Sequence, residues 1–362
     1  MHKQKPKKYL WILSTLVPLM GLSGVVLYEL TDQSIMLVVP LLFIYLVVPA
    51  LDFVFSADES NPSEADVPTL EKNSYYNWIL YLMLPIHFLV FTSLVAYMVT
   101  EPLAWWMQVM LLMTLGVFGG LAVNLGHELG HKKSRLDKNL AKLALATGAY
   151  GHFNIEHNAG HHRDVATPED TASAKMGESI YRFVLREFPG GVKRSWRIET
   201  ARLKRKGLPW YSADNQIIHS YLLTVIIYAV LTYILGWAAL LVMLLQAPLV
   251  WWQLTSANYI EHYGLLRRKL DNGKYEKCQP KHSWNSNHLI SNLLLFHLQR
   301  HSDHHANPSR HYQSLRHFEE APQLPTGYMG MFVLAYFPPL WFKVMDAKLM
   351  KMYKNDMSLV NN

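Results

Sequence analysis

The sequence predicts an all-α integral membrane protein, with six transmembrane helices and a cytoplasmic helical cap that holds a histidine-rich metal site. Three observations carry this reading. The 362-residue chain is 51% hydrophobic and only 17% charged, which falls below the quarter usual for soluble domains. The apolar residues gather in runs long enough to cross a bilayer. The chain also holds 18 histidines, and half of them fall in four short motifs, three of which carry histidine clusters at helical spacing.

The spans follow in order. The start, MHKQKPKKY, is basic and leads into an apolar stretch over residues 9–30. That stretch lacks a small-residue cleavage site, so it reads as an uncleaved anchor. Residues 34–55 form a second span, and residues 56–75 a polar, acidic, Pro-containing loop. Residues 76–99 and 103–126 are the third and fourth spans, divided at Thr100-Glu101-Pro102. Residues 1–126 thus make an N-terminal membrane part. Residues 127–216 are mostly polar and carry 16 Lys or Arg against 10 Asp or Glu. Spans five and six occupy 217–236 and 238–259, with a turn near Gly236 and a bend expected at Pro248. Residues 260–362 form a polar C-terminal region; its apolar run from Met329 to Phe342 is short for a span and contains Pro338 and Pro339.

A basic N-terminus starts inside, and six spans then place 56–75, 127–216 and 260–362 on the cytoplasmic side. The positive excess of 127–216 agrees with that orientation. The same rule accounts for the net charge of +7 without nucleic acid, whose binding would need a soluble basic face. The single cysteine, Cys278, excludes a disulfide framework and a thiolate-held iron–sulfur or zinc site.

Neutral imidazole is a good ligand for iron, copper, zinc and nickel. His127 and His131 in HELGHK stand at i, i+4, as do His157 and His161 in EHNAGHH, with His162 beside them. His301, His304 and His305 stand at i, i+3 and i+4, again one helix face. His262, where the sixth span meets the cytoplasm, is the ninth. Nine imidazoles exceed what one metal accepts, so two metals are implied. HELGH also fits the H-E-x-x-H zinc-protease pattern, with Glu128 as general base, but that reading leaves six of these histidines idle. A transporter would place its polar ligands at mid-membrane, whereas these sit at span ends. Metal-bound histidines pass their second N–H to a carboxylate or carbonyl; Glu156, Glu261 and Asp303 are the carboxylates expected there. No Gly-rich dinucleotide fingerprint is present.

Four motifs, HELGHK, EHNAGHH, NYIEHYG and LQRHSDHHA, resemble in order and context those of the bacterial membrane-bound alkane 1-monooxygenases. These belong to a histidine-rich di-iron class together with membrane fatty-acid desaturases and xylene monooxygenase. The likeness runs from KKYLWILSTL near the start to LPTGYMG near residue 330, and NYIEHYG favours the hydroxylase branch over desaturases; a membrane fatty-acid desaturase or a xylene-type hydroxylase is the alternative reading. The resemblance implies two non-haem irons held by the nine histidines named above, with O2 as co-substrate. It implies conversion of medium- or long-chain n-alkanes to 1-alkanols at the inner membrane of a bacterium, with the site on the cytoplasmic side. Electrons would come from rubredoxin, itself reduced by an NAD(P)H flavoprotein. An acidic donor would dock on a basic face, for which Lys193, Arg194, Arg197, Arg202, Lys204, Arg205 and Lys206 are the expected residues, with anionic headgroups as the competing partner. Substrate would enter from the bilayer through a tunnel in the bundle, with Leu121 near its inner end and Ile44 lining its depth.

Overall fold

The computed structural model describes residues 5–55 and 57–362, so the first four residues of the basic start lie outside the described residues. Six helices among the described residues are long and apolar enough to cross a membrane. They are α1 (Lys8–Thr31), α2 (Ser34–Phe55), α3 (Ser74–Thr100), α4 (Trp105–His131), and, after a cap segment, two more. The cap segment contains α5 (Arg135–Ala146) and α6 (Ile180–Arg205). The last two spans are α7 (Gln216–Leu235) and α8 (Trp237–His262). Beyond them lie α9 (His301–Ala306), α10 (Tyr328–Ala335) and α11 (Pro338–Met352). Among the described residues there is no β-strand, only isolated bridges such as Ala57 with His288.

Two lengths decide where the chemistry sits. The fourth span runs on through His131 and the sixth through His262, so each apolar helix carries its histidines on its own last turns. Spans three and four are joined by a short turn, and spans five and six by Gly236, whose φ of 86° is a left-handed conformation open to glycine. Short connections make these pairs antiparallel, so α4 and α8 finish at the same end of the bundle. They pack closely because Gly116, Gly119 and Gly120 form a bare seam: a Cβ on Gly116 would lie 2.3 Å from Leu249 Cβ, and one on Gly120 2.6 Å from Gln253 Cβ. Small residues at such crossings let membrane helices approach.

The first two spans are not regular. Pro18 opens a 3₁₀ turn in α1, and α2 passes from a 3₁₀ turn to a π turn at Phe43–Val47. Their inner ends are pinned to the cap. Trp11 packs edge-on against His297 and Tyr312, with ring centroids 4.7 and 4.9 Å away. Asp52, fully buried, accepts from Ser291 N at 3.0 Å and from the Ser291 hydroxyl. The apolar run near 329–342 does not cross the bundle; it splits into α10 and α11 at Pro338, and Tyr336 lies against Trp252 of α8.

Candidate metal centre

Four separate elements deliver nine imidazoles to one end of the bundle. The last turns of α4 supply His127 and His131, four residues apart on one face. The next three come from a helix broken by a π turn, Phe153–Glu156, then His157–His161, then His162–Asp164. Gly130 lets this segment lie against α4, since a Cβ there would meet Asn154 Oδ1 at 2.4 Å. The end of α8 supplies His262, and α9 supplies His301, His304 and His305. The approach to α9 is a tight turn in which Phe296 and His297 both take positive φ, 54° and 53°, a rare conformation for side chains of that size.

Among the described residues the nine fall into two sets. His127, His131, His157, His162 and His304 form one, and His161, His262, His301 and His305 the other; within each, the ligand atoms lie within 4.8 Å of one another. The π turn explains the division. A regular helix would put His157 and His161 on one face, as the sequence spacing suggested. The wider π turn brings i and i+5 together instead, so His157 Nε2 meets His162 Nε2 at 3.0 Å while His161 turns to His305 at 3.2 Å. In α9, His301 and His305 stay together with Nε2 atoms 2.9 Å apart, and His304 swings to His127 at 3.0 Å and His162 at 3.1 Å.

This donor set suits a cation. The Nε2 atoms converge at 2.9–3.2 Å, close enough for several rings of each set to reach one ion through that nitrogen. Burial and neighbouring imidazoles hold His157, His162, His301, His304 and His305 well below their ordinary pKa, which keeps the rings neutral and able to bind metal. His161 differs. Burial lowers it, but Asp170 overrides burial and raises it, through a 2.9 Å bond from Nδ1 to Oδ2. That bond fixes the tautomer and leaves Nε2 free.

The outward partners are not all those expected from the sequence. Asp170 takes the role, nine residues after His161. It is clamped by Arg194 Nη2 at 2.8 Å and by Ser173 Oγ at 2.6 Å. Burial opposes ionisation of Asp170, yet His161 and Arg194 together hold its carboxyl far below the usual range. Glu156 joins this cluster through Arg194, with no hydrogen bond to a histidine of the two sets among the described residues. Asp303 does not face the imidazoles: it accepts from Arg316 N at 2.8 Å, Arg316 Nη2 at 2.9 Å and Asn307 Nδ2 at 2.7 Å. Sitting between two ligands in sequence, it points from the far side of α9. Glu261 lies inside instead, with Oε2 3.2 Å from His301 Nε2, on the side where metal would bind. Glu128 accepts from Tyr312 N at 3.3 Å, so it does not take the position of a protease base among the histidines.

Arg194 also leaves the expected donor face. Its side chain is 4% exposed, and its partners are Glu156, Asp170 and, at 3.8 Å, Asp164. Of the other six, Arg202 is half-buried on Glu199 and Lys206 pairs with Asp214 at 2.9 Å. Lys193, Arg197, Lys204 and Arg205 are exposed along α6.

An apolar cavity leads to the imidazoles. Ile44, Val117, Leu121, Leu254 and Phe332 line it, and it ends at His127, His157, His301 and Glu261. Ile44 is set in the π turn of α2 and is 2% exposed. Both residues expected to border a tunnel therefore border this space.

Comparison with known proteins decides the family. A fatty acid desaturase family profile matches residues 103–335. Alkane 1-monooxygenase 1 of Alcanivorax borkumensis is 50% identical over 98% of this chain and 88% of its own length. The alkane 1-monooxygenase of Ectopseudomonas oleovorans gives the same figures. The chain belongs to the alkane 1-monooxygenase family. The hydroxylase component of xylene/toluene monooxygenase from Pseudomonas putida is more distant, 31% identical over 60% of this chain. In this alkane 1-monooxygenase family member the nine imidazoles form two groups that could hold metal ions, and the chain is a multi-pass membrane protein. The two features hidden from sequence reading, the π turn and the Asp170–Arg194 clamp, both set the orientation of His161.

Proposed function

We propose that the protein hydroxylates the terminal methyl of medium- to long-chain n-alkanes, consuming O2 and two electrons and releasing a 1-alkanol and water. The observation that carries this is an apolar cavity, lined by residues of the helix bundle, that reaches His127, His157 and His301 of a buried nine-imidazole cluster. A methyl C–H offers nothing to a side-chain acid, base or nucleophile. Two iron ions, one in each histidine set, would supply the oxygen activation that the residues cannot. Their relatives' names, alkane 1-monooxygenase, support the same chemistry.

The chain's own residues have three tasks. Ile44, Val117, Leu121 and Phe332 hold the alkane by shape and keep water out, which favours one carbon at the centre. Asp170 holds the proton on His161 Nδ1, backed by Arg194. The turns at the ends of α4 and α8 fix the site at one bilayer face, which we read as the cytoplasmic face of a bacterial inner membrane. No side-chain acid or base is assigned to the reaction. Electrons would come from rubredoxin, reduced by an NAD(P)H flavoprotein.

The test is product analysis. Purified protein in lipid vesicles, given rubredoxin, its reductase, NAD(P)H and n-alkanes of graded length, should yield 1-alkanols. Secondary alcohols alone, or double bonds in acyl chains with no alkanol, would refute the reading.

A further inference from the structure

Helix α6 has three faces, and only one of them is explained by the metal site. Phe183, Glu187, Gly191 and Arg194 are buried against the cap and α8. On another side Tyr181, Leu185, Val192 and Trp196 are exposed, Leu185 by 76%. Their spacing of four, seven and four residues makes a continuous apolar stripe. Beside that stripe run Arg182, Lys193, Arg197 and Lys204, all exposed, again on helical spacing.

The stripe continues the flank of two apolar spans. Phe188 stacks on Trp251 of α8 with centroids 4.2 Å apart, and Tyr181 stacks on Trp252 at 5.7 Å. Trp251 precedes the last residue of the span, His262, by eleven positions, so it lies about 16 Å below that end. Helix α6 thus packs against the flank of a span and below the level of the imidazoles. Further along, Val192 and Trp196 share a groove with Ile217, Tyr221, Leu222 and Val225 of α7. Leu222 and Val225 are 53% and 61% exposed on a membrane span. Trp196, Trp210 and Tyr211 then cluster where α6 gives way to α7, with centroids 5.9 and 5.4 Å apart; Trp and Tyr gather at membrane–water interfaces.

We propose that α6 lies in the bilayer surface, with Tyr181, Leu185, Val192 and Trp196 among the acyl chains and Arg182, Lys193, Arg197 and Lys204 on anionic headgroups. An amphipathic helix with cations along its polar edge binds membranes in this way. The cations that sequence alone offers to an acidic donor are then engaged by lipid, while the opposite face of the same helix carries Arg194 to Asp170.

The experiment measures depth. In a Cys278→Ser background, Leu185→Cys is labelled with a nitroxide in vesicles containing phosphatidylglycerol. Tyr233→Cys, on a residue 92% exposed in α7, and Glu319→Cys, on an exposed cap residue, serve as lipid and water references. The Leu185 label should be reached by O2 and shielded from a water-soluble nickel chelate, as at position 233. Replacing the anionic lipid, or making Lys193→Glu with Arg197→Glu, should move the label toward water. A label as open to nickel as position 319 would overturn the proposal. Spin–spin broadening at position 185 would assign the stripe to a second copy, and shielding that appears only with rubredoxin would assign it to the donor; either also overturns it.

Discussion

Replacing Asp170 by Asn should weaken one half of the metal site and spare the other. The side chain keeps its shape but loses its charge. In the native protein it accepts from His161 Nδ1 at 2.9 Å, Arg194 Nη2 at 2.8 Å, Ser173 Oγ at 2.6 Å and Ala172 N at 3.2 Å, and it is 2% exposed. Charge-assisted bonds of this kind contribute roughly 1.5–3 kcal/mol each, against about 1 for neutral ones. Glu156 remains on Arg194, so the arginine is not stranded and the fold should survive. For His161 the loss of a carboxylate partner lowers ligand basicity, an effect of about 10–100-fold on metal affinity, or about 1.4–2.7 kcal/mol. The assay is chelator titration of the iron-loaded protein with metal counted by mass spectrometry. One equivalent should leave at lower chelator concentration, and the other should behave as in the wild type. Asp303→Asn is the control: it is equally buried and equally paired, but with Arg316 rather than a ligand ring, and should lose stability without early loss of metal. Unchanged chelator resistance in Asp170→Asn, or parallel loss in both variants, would refute the reasoning.

Three further outcomes follow from the geometry. Glu187 is buried and accepts hydrogen bonds from the neutral Thr255 hydroxyl and Asn258 amide, and burial raises its pKa from 4.5 to about 7. The folded state therefore keeps a proton that the unfolded chain has lost, and stability falls as pH rises through that window; the wild type should lose about 3 kcal/mol relative to Glu187→Gln, read as thermal midpoints in detergent across the pH range. Gly116→Ala places a Cβ 2.3 Å from Leu249 Cβ, so overpacking of about 1–3 kcal/mol should lower the thermal midpoint. Ile44→Trp should fill the cavity and shorten the preferred alkane; an unchanged chain-length profile would remove Ile44 from the substrate path.

Much of this arrangement is written locally. An apolar run long enough to span a bilayer declares itself, and so does a His pair four residues apart, which is why the helical frame and the histidine clusters are readable from sequence. What is not local is not readable. A π turn at His157–His161 breaks the 3.6-residue period on which spacing arguments rest, so the split between His161 and its neighbours stays hidden. The partner of a ring nitrogen depends on which chain segment crosses behind it. Asp303 stands next to a ligand in sequence yet faces Arg316, while Asp170 stands nine residues from His161 and holds it. Arg194 belongs to a run of cations that reads as a solvated face, but its place on the inner side of α6 buries it. Glu261 is legible as a neighbour of His262, though not as a group facing His301.

The division of nine imidazoles into a set of five and a set of four is the centre of this account. Metal stoichiometry of the purified, reconstituted chain tests it most directly. Two irons per chain are expected, falling to one when His262→Ala and His305→Ala are combined, because both belong to the set of four. A single zinc or a single iron in the wild type, or loss of all metal from the double variant while it remains folded, would contradict it.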